Sequence, residues 1–197
     1  ADAFNALKGD LMSFQQENAP EEVLPGVKIT MKVLNDVLFK DIGGNRAKDG
    51  RWPLVIDPSK RATMFVRYRD TNYLNACSTK DMSMQIIRKA VLGSLRYGKA
   101  LCVDMMDVDM MEAVVSSFDQ VQKGLYESIM SRELLKNENY MSLVDVKEDG
   151  PEYHHSNFQD DRVKDFVFVL ITYSRRPADE LMERFYCIHV KADTDGD

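Results

Sequence analysis

From Trp52 onward, short apolar runs alternate with amphipathic stretches, the pattern of parallel strands covered by helices. Leu54-Val55-Ile56 reads as a buried strand, followed by a short helix over 62–68. Tyr73–Cys77 reads as a second strand. Ser78 or Thr79 then caps a helix whose Met82, Ile86, Ile87, Ala90, Val91 and Leu95 share one face, and Gly98 is its left-handed stop. The unbroken apolar run Ala100–Val103 predicts a central strand that delivers Asp104 to its carboxyl end. Met110–Leu135 predicts one long helix or two short ones, with Gly124 as the break. Residues 140–158 read as an extended, β-like insertion with a turn at Asp149-Gly150-Pro151. Phe166–Ile171, dense in β-branched and aromatic residues, predicts the strongest strand; a short helix over 178–184 and a last strand over 186–190 follow.

Ahead of this unit, Phe4, Leu7, Leu11 and Phe14 recur at helical spacing and predict a first helix that ends before Pro20. An acidic linker runs between Pro20 and Pro25. Val33, Leu34, Val37 and Leu38 then form a second helical stripe, stopped by Gly43-Gly44, and 43–50 reads as a polar loop. The expected organisation is a helical accessory segment over 1–44, an α/β domain over 45–192 and an acidic tail over 193–197. Trp52 is expected to anchor the N-terminal helices against the sheet.

Composition narrows the function. A chain of 197 residues, 44% hydrophobic, can bury one substantial core. Its net charge of −6 and lack of a Lys/Arg run argue against nucleic-acid binding. No apolar run approaches the roughly 20 residues that span a bilayer, and no signal-peptide pattern opens the chain, so a cytoplasmic protein with no membrane contact is expected. The chain opens on Ala1, which reads as processing or as a piece of a longer protein. Cys77, Cys102 and Cys187 lie far apart and lack metal-ligand spacing, and two of them, in strand-like apolar runs, read as small hydrophobes. Most of the twelve methionines are expected in the core.

The turn after Ile56 carries the main chemical argument. A phosphate loop needs glycines to close its amides around an anion and a hydroxyl to hold Mg²⁺. Asp57-Pro58-Ser59-Lys60-Arg61-Ala62 has no glycine, and Pro58 has no N–H to give. Gly93, Gly98 and Lys99 match G-x-x-x-x-G-K by spacing, but they close a helix and enter a strand, and Ala100 replaces the hydroxyl. Asp104, Asp107 and Asp109 read as helix-capping acids ahead of a metal cluster, with Asp104 the one candidate metal ligand. His154 and His155 read as a solvated pair pointing apart, and His189 is expected to meet a polar partner or solvent.

The sequence Trp52-Pro53-Leu54-Val55-Ile56-Asp57-Pro58, then Leu92–Asp107, then Phe166–Pro177, resembles in order and content the degenerate fifth AAA module of dynein heavy chains. It resembles more closely the related domain at the C-terminal end of IQ-motif and ankyrin-repeat proteins, where the stretch Arg67–Leu74 is also familiar. The resemblance spans residues 35–191. It implies a P-loop-NTPase or AAA-like fold, a parallel sheet flanked by helices, with hydrolysis lost and protein partners in a cilium or the cytoskeleton. Asp57 and Pro58 then stand where a phosphate loop would begin, Asp104 where a Walker B acid would be, and Thr172 at the end of a sensor-type strand. Two alternatives stand beside this reading: a nucleotide switch holding ATP with magnesium through Lys60, Asp104 and Thr172, and a calcium-responsive module built on Asp193–Asp197.

Overall fold

The computed structural model describes residues 23–191. The expected first helix and the acidic tail lie outside them. Six strands form one all-parallel sheet: β1 (Val27–Ile29), β2 (Pro53–Ile56), β3 (Asn72–Asn75), β4 (Ala100–Asp104), β5 (Val167–Thr172) and β6 (Tyr186–Val190), in the order β1-β6-β2-β5-β4-β3. Parallel neighbours need crossover connections, and the apolar-faced segments between strands supply them as helices. These are α1 (Leu34–Leu38), α2 (Asn45–Asp49), α3 (Arg61–Arg67), α4 (Met84–Tyr97), α5 (Met111–Val121), α6 (Leu125–Met130), α7 (Asn137–Met141), α8 (Asp160–Lys164) and α9 (Asp179–Arg184). Every residue of β2, β4 and β5 is buried, as strands covered on both faces must be.

Three expectations need correction. Residues 27–29, expected as part of the helical accessory segment 1–44, are an edge strand on β6, so this segment is not purely helical. Gly26 makes this approach, since a Cβ at its φ of +108° would lie 2.3 Å from the Cys187 carbonyl oxygen. The polar stretch 43–50 contains α2 between two left-handed glycines. Residues 140–158 are not β-like. They comprise the end of α7 and two 3-10 turns, 151–153 and 155–157. Tyr140 and Phe158 stack at 5.0 Å between ring centroids and close this segment on itself. The predicted stops hold: Gly98 (φ +65°) ends α4 and Gly124 (φ +79°) separates α5 from α6.

The insertion is pinned by a buried ion pair. Arg88 of α4 donates to both carboxylate oxygens of Asp149, at 2.5 and 2.9 Å, and to the Leu143 carbonyl at 3.0 Å. The two side chains are 10% and 2% exposed. Burial opposes the charge on Asp149, but hydrogen bonds from Arg88 and from the Asp145 N–H prevail and pull its pKa below the usual value. Trp52 acts at the start of β2, where its Nε1 donates to the Ile129 carbonyl of α6 at 2.8 Å and its ring meets Phe166 edge-on at 5.8 Å. These contacts tie the start of β2 to α6 and to the start of β5.

Arg88→Met leaves Asp149 buried without its partner and should cost about 3–5 kcal/mol in urea unfolding. Because the folded pKa of Asp149 is depressed, its contribution is full above about pH 4 and disappears as pH falls through the folded value. Asp149→Asn should flatten that acid limb of the stability curve; an unchanged limb would assign it to other carboxylates. Truncation of Trp52 to alanine should cost about 3–5 kcal/mol by the same assay.

Candidate functional site

Parallel register brings the carboxyl ends of β2, β4 and β5 together, where α/β proteins bind ligands. Asp104, the last residue of β4, lies on this edge and is fully buried. Its Oδ2 accepts hydroxyls from Thr63 of α3 (2.6 Å), Tyr73 of β3 (2.8 Å) and Tyr173 after β5 (3.2 Å). Its Oδ1 accepts the Met106 N–H at 2.8 Å. Burial, and then the negative charge of Asp104, raise the pKa values of both phenols, so they keep their protons and act as donors.

The turn leading out of β2 is closed by its own acid. Asp57 is fully buried. Its Oδ1 accepts the Ser59 N–H (2.9 Å) and hydroxyl (2.6 Å), and its Oδ2 accepts the Ala62 N–H at 2.7 Å. Amides at the start of α3, where an outside anion would be received, are therefore occupied by a carboxylate of the chain. The turn does cradle an anion, and that anion is built in.

The three residues singled out from the sequence sit at this same edge. Asp104 is its hub. Lys60 takes a left-handed φ of 64° and sets its Nζ 5.3 Å from the centroid of Tyr173, whose hydroxyl reaches Asp104. Thr172 is buried, offers its hydroxyl to the Met106 carbonyl at 3.4 Å and receives the Ser174 N–H at 3.2 Å. Lys60 and Thr172 thus support the groups around Asp104. Met106 is held in a left-handed conformation (φ 60°) because its N–H serves Asp104 and its carbonyl accepts the Tyr173 N–H at 2.6 Å.

Thr63, Tyr73 and Tyr173 escaped the sequence reading. The available signal was one hydroxyl in the first turn of α3 and tyrosines near the ends of β3 and β5. Nothing in one sequence marks which of these face one acid.

The other candidates are separate from this centre. Asp109 accepts the Met111 N–H at 3.1 Å, a capping contact, and Asp107 is exposed. Among the described residues, no group of three His, Cys, Asp or Glu side chains is arranged to hold a metal. His154 and His155 do not point apart: the chain is a tight turn there, and their ring centroids are 4.1 Å from each other. His189 Nε2 meets the Pro25 carbonyl at 2.8 Å, which requires the proton on Nε2. Gly93 lies inside α4 and Lys99 pairs with Asp70 at 2.5 Å, away from any phosphate-loop geometry. Cys102 and Cys187 are buried free thiols; burial pushes Cys187 up to about 11 and Cys102 higher. No helix among the described residues is long and apolar enough to cross a membrane.

ATP with magnesium does not fit these residues. The Ser59 and Ala62 amides of the turn are spent on Asp57, and Asp104 is engaged by three hydroxyls and an N–H. No family model matches the chain, and no solved structure matches it at a significant level.

If the hydroxyls carry this edge, Thr63→Val should cost about 1.5–3 kcal/mol, the range for a hydrogen bond to a charged group. Tyr173→Phe, losing the longest of the three bonds, should cost less. Chemical denaturation of both variants checks the order, and equal or negligible losses would count against the hub.

Proposed function

We propose that the chain is a non-catalytic, AAA-like module that works by binding protein partners in a ciliary or cytoskeletal assembly. One observation carries this reading: the two groups that would meet a triphosphate and its cation, the helix-start amides and Asp104, are engaged by Asp57 and by Thr63, Tyr73 and Tyr173. A scaffold whose reaction centre is filled by its own side chains keeps its surface as its means of action. Met64 on α3 and Tyr68, the residue that closes it, are 59% and 87% exposed, lie about one turn apart and offer apolar area to a partner. The AAA-like assignment and the cellular setting rest on the ordered motifs from Trp52, Leu92 and Phe166.

Titration calorimetry with Mg-ATP separates this reading from a nucleotide switch. The expected outcome is no saturable heat with millimolar ligand; micromolar binding with phosphate release would overturn it. In ciliated cells, a tagged chain should concentrate in cilia, and Met64→Asp with Tyr68→Asp should disperse it without lowering its melting temperature. A uniform distribution of the unsubstituted chain speaks against the assembly role.

A further inference from the structure

The amino-terminal edge of the sheet, opposite Asp104, holds a cavity of about 570 Å³, within the size range of small-ligand sites. Trp52 before β2, Ala100 at the start of β4 and Val167 at the start of β5 form part of its wall. Basic residues dominate the lining: Arg46, Arg69, Lys99, Arg132 and Lys164. Asp70 and Asp165 are the acids of the lining, and Asp70 is engaged by Lys99 at 2.5 Å. In a chain of net charge −6, this is a local excess of positive charge.

The guanidinium groups are placed by aromatic rings. Arg132 lies 3.6 Å from the Trp52 ring centroid and donates to the Gly50 carbonyl at 3.0 Å. Arg69 lies over both Phe39 and Phe65, at 4.9 and 5.5 Å. Stacking covers the face of a guanidinium and leaves its in-plane N–H fork for a bidentate acceptor. Arg46 Nε is buried without a hydrogen-bond partner. Burial, chiefly, and then repulsion from Arg46 lower the Arg132 pKa, while Arg46 is lowered by burial against the pull of Asp41.

We propose that this cavity is a binding site for a small multiply charged phosphate compound, whose oxygens take the Arg46 and Arg132 donors and whose charge balances Lys164 and Arg69. Phosphate fits better than carboxylate. Each phosphate ester brings about −1.5 to −2 charge and three acceptor oxygens, so two groups neutralise the local excess within this volume. The site is remote from Asp104 and does not depend on the reading of that edge.

The test uses inorganic pyrophosphate as probe, with titration calorimetry in 0.15 M salt, and citrate and a hexaglutamate peptide as comparison ligands. Pyrophosphate should bind one to one and more tightly than either comparison. Arg46→Gln and Lys164→Glu should each weaken it by about ten-fold or more, the loss of at least one charge-assisted contact. Lys164 is exposed, so Lys164→Glu should fold normally and keep the wild-type melting temperature. Lys60→Ala, at the other edge, should leave the affinity unchanged. Absence of saturable binding, tighter binding of hexaglutamate or citrate, or indifference to Lys164→Glu would each overturn the proposal.

Discussion

A carboxylate buried in the middle of a parallel sheet must have its oxygens satisfied, and the carboxyl-terminal edge of this protein is organised around that requirement. Asp104 is fully buried and is served by α3, β3, its own following turn and the segment after β5. Leaving such a group unpaired costs several kcal/mol, so the four segments are bound to one another through it. Asp57 repeats the solution on the far side of β5, where a single acid ties the turn out of β2 to the start of α3. Its own N–H donates to the Thr172 carbonyl at 2.9 Å, which joins the two acids through β5.

In this arrangement the acids of the edge are satisfied by groups of the chain itself. Hydroxyls can take a cation's place around a carboxylate because both present positive charge to the same oxygen lone pairs, and hydroxyls bring no net charge that a phosphate must match. Tyrosines suit the role because their rings reach in from β3 and from beyond β5, filling space as well as donating. The left-handed Met106 belongs to the same settlement: a non-glycine residue in that region costs roughly 1–2 kcal/mol, offset here by hydrogen bonds at both its N–H and its carbonyl.

Much of this fold could be read from one sequence because its central strands are buried on both faces, which forces continuous apolar runs. Ala100–Val103 and Phe166–Ile171 are of that kind. Strand β1 is not: three residues beside a glycine form a strand only because β6 offers them an edge. The insertion after α7 misled for a related reason. Its shape depends on Arg88, which is 61 residues from Asp149 in the chain, and no local periodicity encodes that pairing. The rings of His154 and His155 come together because the backbone turns, and the assumption of extended chain there put them apart. Asp104 and Thr172 were visible as strand ends; their hydroxyl partners come from separate elements that only the tertiary fold aligns.

The two edges of the sheet solve opposite electrostatic problems. At the carboxyl ends of the strands, acids are buried and matched one by one with donors from the chain. At the amino ends, arginines outnumber acids, and the fold tolerates them by covering their faces with Trp52, Phe39 and Phe65. A guanidinium accepts this treatment because its delocalised charge is weakly hydrated and its face loses little on meeting a ring, whereas its edge still demands oxygen acceptors. The chain supplies part of that demand through the Gly50 carbonyl and leaves Arg46 Nε without a partner. One edge is therefore chemically complete and the other is not, so sensitivity to small anions belongs at the end of the sheet farthest from the filled centre.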